Sequence, residues 1–138
     1  MATNQREAEP KTSLRRVVLV FGRDLTDPLT NLMKKLDVEV GKNKAARLRA
    51  VVVMLSEDDK LERTLREFGN RQGIRRVSLA ITPDGPKDYK LSQQADVTVV
   101  LYKRRKVEAN HAFRKGELND KAIGRILADV SKLVSRED

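Results

Sequence analysis

Two apolar runs separated by a helical pattern constrain the fold of this chain most. They extend from Arg15 to Gly22 and from Leu48 to Leu55. Continuous apolar runs of this length are typical of strands buried on both faces of a parallel sheet. Between them, apolar residues recur on one helical face, at Leu29, Leu32, Met33, Leu36 and Val40. The two runs and the helix between them therefore predict a β-α-β crossover.

The rest of the chain continues the alternation of strands and helices. Leu61, Leu65 and Phe68 predict a second helix that ends near Gly69 or Gly73. The elements predicted after it are a strand at 76–81, a turn at 82–86, a short helix at 87–95, an antiparallel hairpin of strands 97–102 and 106–113, and a final helix capped by Asn119. The order β-α-β-α-β-α-β-β-α predicts an α/β sheet of about five strands sandwiched by helices.

Local capping signals indicate where two of these helices begin. Thr26 or Asp27 can cap the first helix, because Pro28 then falls in its first turn. Ser56 followed by Asp59 resembles a capping box for the second helix.

The length of 138 residues suits one domain with a hydrophobic core. Residues 1–14 are polar, lack an apolar signal core and are interpreted as a flexible tail, which leaves a domain at 15–135. No apolar run approaches the length of a membrane span, so we expect a soluble protein, and we expect it to be intracellular by default because no signal peptide is visible.

The composition excludes several kinds of chemistry. The chain has no cysteine, which excludes disulfides, thiol nucleophiles and thiolate metal sites. A single histidine disfavours a zinc site, and no phosphate-binding glycine motif is present, so we expect no metal and no cofactor. The net charge of +9 favours anionic partners, although a solvated basic surface would explain it as well.

The junction after the first strand is the position where α/β proteins commonly bind ligands, outside the carboxyl ends of the strands. Here the segment from Arg23 to Pro28 contains no cysteine, serine, histidine or lysine. The sequence therefore places a candidate site at this junction without the side chains that usually carry nucleophilic chemistry.

Four stretches, taken in order and with their spacing, resemble the thioredoxin-like superfamily from Arg15 to Val134. The closest match is its redoxin branch of thiol–disulfide oxidoreductases and peroxiredoxin relatives. The stretches read VVLVF, AVVVMLSEDD, SLAITPDGPKDYKL and ADVTVVLYKRRKVEANHAF. The resemblance implies a three-layer α/β/α sandwich with a C-terminal hairpin and a final helix.

Both chemical hallmarks of that family are missing. Its C-x-x-C motif would fall at Thr26-Asp27-Pro28-Leu29, where no thiol is present, and its cis-proline would fall at Asp96. A trans peptide is expected at Asp96, because a cis bond before a residue other than proline costs about 3 kcal/mol. Disulfide exchange needs a thiolate, so this chain alone is neither a thiol–disulfide oxidoreductase nor a thiol peroxidase.

In the family, the face that carries the redox loop docks extended peptide segments. The resemblance therefore implies that this chain binds peptides at the corresponding face, which we call the former redox face. The expected binding residues are Arg23, Asp24, Leu25, Thr26, Asp27 and Pro28, together with Ala95, Asp96 and Val97. No residue is assigned a catalytic role.

Two alternatives remain open. The basic cluster Lys103, Arg104, Arg105 and Lys106 at the hairpin tip could bind anions or nucleic acid, with charge from Arg75-Arg76 and Lys42 to Lys44. The scarcity of aromatic residues does not support base stacking, and such cations also protect a sheet edge from aggregation.

The second alternative is non-thiol enzyme chemistry, or a weak cation site, at three carboxylates. Asp24, Asp27 and Asp96 would supply it, although capping explains Asp27 more simply. His111 shares a strand face with Val107, Ala109 and Phe113, and a hydrogen-bonded structural histidine is the favoured interpretation over a general base.

Overall fold

A computed structural model of the chain describes residues 16–83, 95–104 and 106–135. Five strands form one mixed sheet in the order β3-β2-β1-β4-β5. Their bounds are β1 Arg16–Gly22, β2 Leu48–Leu55, β3 Ser78–Thr82, β4 Val97–Lys103 and β5 Lys106–Phe113. β1 pairs in parallel with β2, and β2 with β3, whereas β4 is antiparallel to both β1 and β5. The predicted α/β class, the mixed sheet and the C-terminal hairpin are confirmed.

Three helices occur in the described residues: α1 Asp27–Lys42, α2 Leu61–Gln72 and α3 Asp120–Ser135. Thr26 caps α1 by accepting a hydrogen bond from the backbone N–H of Leu29, and the Asn119 side chain accepts one from Ala122 before α3. Gly73 ends α2 in the left-handed conformation, at φ 73°. The caps predicted at Thr26 and Asn119 are therefore confirmed.

The prediction of a capping box at Ser56 and Asp59 was wrong. The Ser56 hydroxyl accepts a hydrogen bond from Asp58 N–H, and the Asp58 carboxylate accepts one from Lys60 N–H. These bonds build a turn before α2, and Lys60 stands at its N-cap without a side-chain cap. Ser56 lies too far ahead of Leu61 to reach the first turn of the helix.

All three helices pack on the same face of the sheet. An added Cβ at Gly22 of β1 would lie 2.8 Å from Leu29 of α1, and one at Gly69 of α2 would lie 3.0 Å from Leu79 of β3. Strand β5 contacts α3 through His111 and Asp129. The described residues thus form the sheet and one of the two helical layers of the predicted sandwich. The short helix predicted at 87–95 falls almost wholly on residues 84–94, outside the described residues.

The core lies between the sheet and this helical layer. Valines of the three central strands are fully buried there, as are the apolar side chains of α1 and α3; they include Val18, Val20, Val52, Val99, Leu29, Leu32, Leu36, Ile126 and Val130. The apolar residues that the sequence places on one face of α1 thus form the face that is buried against the sheet. Burying such side chains contributes about 1.5–3 kcal/mol each, which makes this layer the main source of stability.

The buried carboxylate of Asp37 in α1 fixes the segment that enters β3. Its Oδ1 accepts hydrogen bonds from the backbone N–H groups of Arg75, Arg76 and Val77, at 3.0, 2.6 and 3.0 Å. Because Asp37 occupies the donors of this segment, the ladder of β3 begins at Ser78, two residues later than the sequence pattern predicted.

A register shift between Leu101 and Tyr102 changes the outward face of β5. It pairs Val107 with Tyr102, while His111 pairs with Val99. The prediction that Val107 shares the apolar face of His111 was therefore wrong, and Val107 is 51% exposed.

Candidate functional site

The segment from Arg23 to Pro28 lies at the carboxyl end of β1, where the direction of the chain connections reverses. α1 carries the chain from β1 to β2 on one side, and β4 pairs with β1 on the other. Such a switch point leaves a crevice outside the strand ends that α/β proteins use for ligands. The loop that enters β4 lies beside it, since Gly22 is paired with Val97.

Arg23 joins these two loops directly. Its backbone N–H donates to the carbonyl of Asp96 at 3.1 Å, and its Nε donates to the carbonyl of Ala95 at 2.9 Å. Charged donors give stronger hydrogen bonds than neutral ones. The predicted site residues Arg23, Ala95, Asp96 and Val97 are thus brought together by the fold.

Asp96 is held from both sides. Its carbonyl accepts from Arg23, and its N–H donates to the carbonyl of Phe113 in β5 at 2.8 Å. No cis peptide bond occurs in the described parts of the chain, as expected once the proline of the family is replaced. Both backbone groups of Asp96 are therefore hydrogen-bonded within the domain.

The rest of the loop combines exposed polar side chains with half-buried apolar ones. Asp24, Thr26 and Asp27 are exposed, and Leu25 and Pro28 are half-buried. Thr26 is engaged as the α1 cap, and Asp27 adds an acidic group to the first helical turn, where the helix dipole favours it. Asp24 neither caps α1 nor lies in its first turn.

The three carboxylates proposed for non-thiol chemistry do not form a metal centre. Within the ranges 16–83, 95–104 and 106–135, no three histidine, aspartate or glutamate residues are placed to hold a metal ion. The cation site considered for Asp24, Asp27 and Asp96 is therefore not supported.

The basic hairpin tip lies at the opposite end of the sheet. Lys103 is only 9% exposed, whereas Arg104 and Lys106 are exposed. Arg105 lies outside the described residues. A depression of about 510 Å³ between this tip and α3 is lined by Lys103, Arg104, Lys106 and Lys132, together with Glu108 and Asp129. The fold thus adds Lys132 to the cluster that the sequence showed.

His111 has a structural partner. Its Nε2 lies 2.6 Å from Oδ2 of Asp129 in α3, and its ring stacks on Phe113 with centroids 6.1 Å apart. This pair connects β5 to α3, which confirms the interpretation of a packed, hydrogen-bonded histidine.

Arg16 has a role that the sequence analysis missed. Its Nη1 donates to the carbonyl of Ala46, and its Nε donates to the carbonyl of Leu133 near the end of α3. The only signal was the pair of arginines before the first apolar run, which does not reveal carbonyl partners 30 and 117 residues away.

Comparisons with known proteins show where the fold belongs. No protein-family model and no curated protein matches the chain. Among solved structures, a Chlorobium tepidum protein assigned as a thiol:disulfide interchange protein DsbE aligns at 22% identity and a TM-score of 0.62, over 86% of this chain and 82% of that one. A secreted disulfide oxidoreductase of Mycobacterium tuberculosis aligns at 16% identity and a TM-score of 0.60, over 85% of each chain.

A third similar structure comes from a peroxiredoxin. The yeast mitochondrial 1-Cys peroxiredoxin aligns at 10% identity and a TM-score of 0.61, over 93% of this chain and 68% of that one. These similarities and the sheet order define a thioredoxin-like fold with redox proteins as its structural neighbours. The chain itself contains no cysteine, so it lacks the thiol on which thiol redox chemistry depends.

The helices of the described residues are 12 or 16 residues long. None of them is long and apolar enough to cross a membrane.

Proposed function

We propose that this chain is a non-redox, thioredoxin-like binding domain that docks a protein or peptide segment at its former redox face. That face is defined by Arg23 to Pro28 and Ala95 to Val97. The observation that carries the proposal is the bonding of Arg23 to both Ala95 and Asp96. These bonds keep the two loops side by side although cysteine and proline are both absent.

A fixed pair of loops is what a docking surface requires, because ordering a loop on binding costs free energy. Arg23 supplies that order from within the chain. The surface it stabilises lies at the switch point of the sheet, a position that α/β folds commonly use to bind ligands. The support for the proposal is that hydrogen bonds within the chain already hold the two loops together.

The bonding also limits how a partner would be held. The Ala95 carbonyl and both backbone groups of Asp96 already have partners inside the domain. Recognition would therefore depend more on side chains than on strand-like backbone pairing. The exposed carboxylates of Asp24 and Asp27, beside half-buried Leu25 and Pro28, fit a segment that combines a cationic and an apolar residue.

The test is selection from a displayed library of random peptides, followed by mapping of the selected peptides on the 15N-labelled domain. Peptides that bind this face will shift the amide signals of residues 23–27 and 95–97. The variant Asp24→Arg with Asp27→Arg will weaken binding by at least tenfold through charge repulsion.

The matched control is Glu57→Arg with Asp59→Arg. These two exposed carboxylates follow β2 at the same end of the sheet, and the variant has the same change in net charge. Retained binding in this control and loss in the first variant would support the proposal. Failure to select any peptide, or shifts confined to other surfaces, would refute it.

A further inference from the structure

The two ends of the sheet carry opposite charge patterns. α1, α2 and α3 begin at the carboxyl end of β1 with Asp27, Glu62 and Asp120 in their first turns. At the other end, Arg16 pairs with Leu48 and Lys103, and Lys103 pairs with Lys106, so the starts of β1, β2 and β5 and the end of β4 form one row. Cations that are scattered along the sequence meet at this row.

Part of this basic charge has a structural explanation. Lys42, Arg71 and Lys132 lie in the last turns of the three helices, where the helix dipole favours cations. Arg16 donates to two carbonyls, and Arg76 lies 3.9 Å from the Asp37 carboxylate. These five cations would be expected in a fold of this kind without any anionic partner.

Another six cations lie outside the last turns of these helices. They are exposed and lie along the same end of the sheet; we call them the basic end: Lys44, Arg47, Arg49, Arg75, Arg104 and Lys106. Lys44, Arg47 and Arg49 line one shallow depression, and Arg104 and Lys106 line the depression beside α3. Arg16 lies between the two groups, since it bonds to both Ala46 and Leu133.

Acidic residues at this end reduce the charge only in part, and one of them, Glu39, accepts a hydrogen bond from the Asn43 side chain. Glu108 and Asp129 line the depression beside α3, and Asp129 is hydrogen-bonded to His111. The row from β3 to β5 crosses four interstrand spacings, or about 19 Å at roughly 4.8 Å each. Double-stranded DNA presents a phosphate charge about every 1.7 Å along its axis, so a row of this width faces several phosphates.

We propose that the basic end binds the phosphate backbone of a nucleic acid duplex without reading its sequence. A single strand is a poorer fit, because binding single strands relies on exposed aromatic platforms. Among the described residues, Phe21 and Phe68 are buried, and Tyr102 and Phe113 are half-buried. A lipid surface is also a poorer fit, because the only large apolar side chains exposed in the described residues are Val38 and Val107.

The experiment is a fluorescence-anisotropy titration of a labelled 20-base-pair random-sequence duplex with the full chain, repeated from 50 to 200 mM salt. Six phosphate contacts predict an affinity loss of about 1,000-fold over that range. The test variant carries Lys44→Gln, Arg47→Asn, Arg49→Gln and Lys106→Gln. Asparagine is chosen at 47 because this residue has φ 59° and asparagine tolerates that conformation.

The control variant carries Lys60→Gln, Arg63→Gln, Lys115→Gln and Lys121→Gln. These four exposed cations lie at the carboxyl end of β1, so the change in net charge is the same. Circular dichroism and urea unfolding of both variants verify that the fold is intact.

We expect the test variant to bind at least tenfold more weakly at 100 mM salt, with its salt slope reduced by roughly 3 to 4. The control variant should bind within about twofold of the parent. Equal weakening of both variants would overturn the proposal, because only net charge would then matter. Tighter binding to single strands, or to vesicles containing phosphatidylserine, than to the duplex would also overturn the proposal. This proposal is independent of peptide docking at the former redox face, and each can fail alone.

Discussion

The buried carboxylate of Asp37 holds the backbone of Arg76, which donates its N–H to Oδ1 at 2.6 Å. Asp37 is only 7% exposed, although it lies in the middle of helix α1. The same oxygen serves the N–H groups of Arg75 and Val77. One side chain of α1 thus fixes the start of β3 and the arginines beside it.

Replacing this carboxylate should destabilise the domain strongly. Asp37→Ala removes the shared acceptor of three backbone donors, and we expect a loss of about 3 kcal/mol in the free energy of unfolding. Urea unfolding followed by circular dichroism measures this loss. The neighbouring Val38→Ala, at a side chain 52% exposed, should change stability by less than about 0.5 kcal/mol. Equal effects of the two substitutions would contradict the assigned role of Asp37.

Two glycines should respond to alanine in opposite directions. At Gly22 an added methyl group would meet Leu29 at 2.8 Å and Met54 at 3.5 Å, so Gly22→Ala should cost about 1–3 kcal/mol through overpacking. At Gly124, inside α3, nothing lies within 4 Å of the added atom, so Gly124→Ala should stabilise by about 0.5–1 kcal/mol. Thermal unfolding compares both variants with the parent, and a stabilising Gly22→Ala would refute the packing described here.

The bond from Arg23 to Ala95 should control the order of the loop before β4. Arg23→Ala removes the guanidinium but keeps the backbone bond to Asp96. Losing about 1 kcal/mol of local stabilisation corresponds to roughly fivefold faster opening. Hydrogen exchange should therefore accelerate at the Asp96 amide by about that factor. Amides in the centre of β2 serve as the internal reference, and unchanged exchange at Asp96 would contradict the role of Arg23.

A thiol introduced at position 26 should report whether the former redox face keeps the electrostatics of a helix start. In Thr26→Cys the thiol lies at the N-cap of α1, where the helix dipole lowers the pKa below its ordinary value of about 8.5. Its reaction with a disulfide reagent near pH 7 should exceed that of Ser131→Cys, which places an exposed thiol near the carboxyl end of α3. Comparable rates at the two positions would show that the loop provides no activation.

Local patterns in the sequence were sufficient for most of the secondary structure. β2 and β5 have the predicted bounds, and Thr26 caps α1 as expected. These features depend on neighbours a few residues apart, so a strand's apolar run or a capping oxygen can be recognised from the residues themselves. The order of the elements then favoured one family of α/β folds, which the comparisons support.

The sequence also determined that the junction from Arg23 to Pro28 has no thiol, because the absence of cysteine is a property of composition alone. The contacts at that site depend on the tertiary structure. Arg23 and Ala95 are 72 residues apart, and they meet because β4 pairs with β1. Asp37 meets Arg76 across 39 residues for a similar reason, since α1 packs beside the entry to β3. A hydrophobic period shows that a helix has a buried face, but not which backbone donors a polar residue on that face will meet.

The basic residues show most clearly which features depend on the sequence and which depend on the tertiary structure. The sequence by itself determined that the chain is strongly basic, with cations in several short clusters. Only the tertiary structure placed Arg49, Arg75 and Lys106 at one end of the sheet. The physical reason is that strand direction and order decide which end of the sheet each segment reaches, and these are set by long-range pairing and packing.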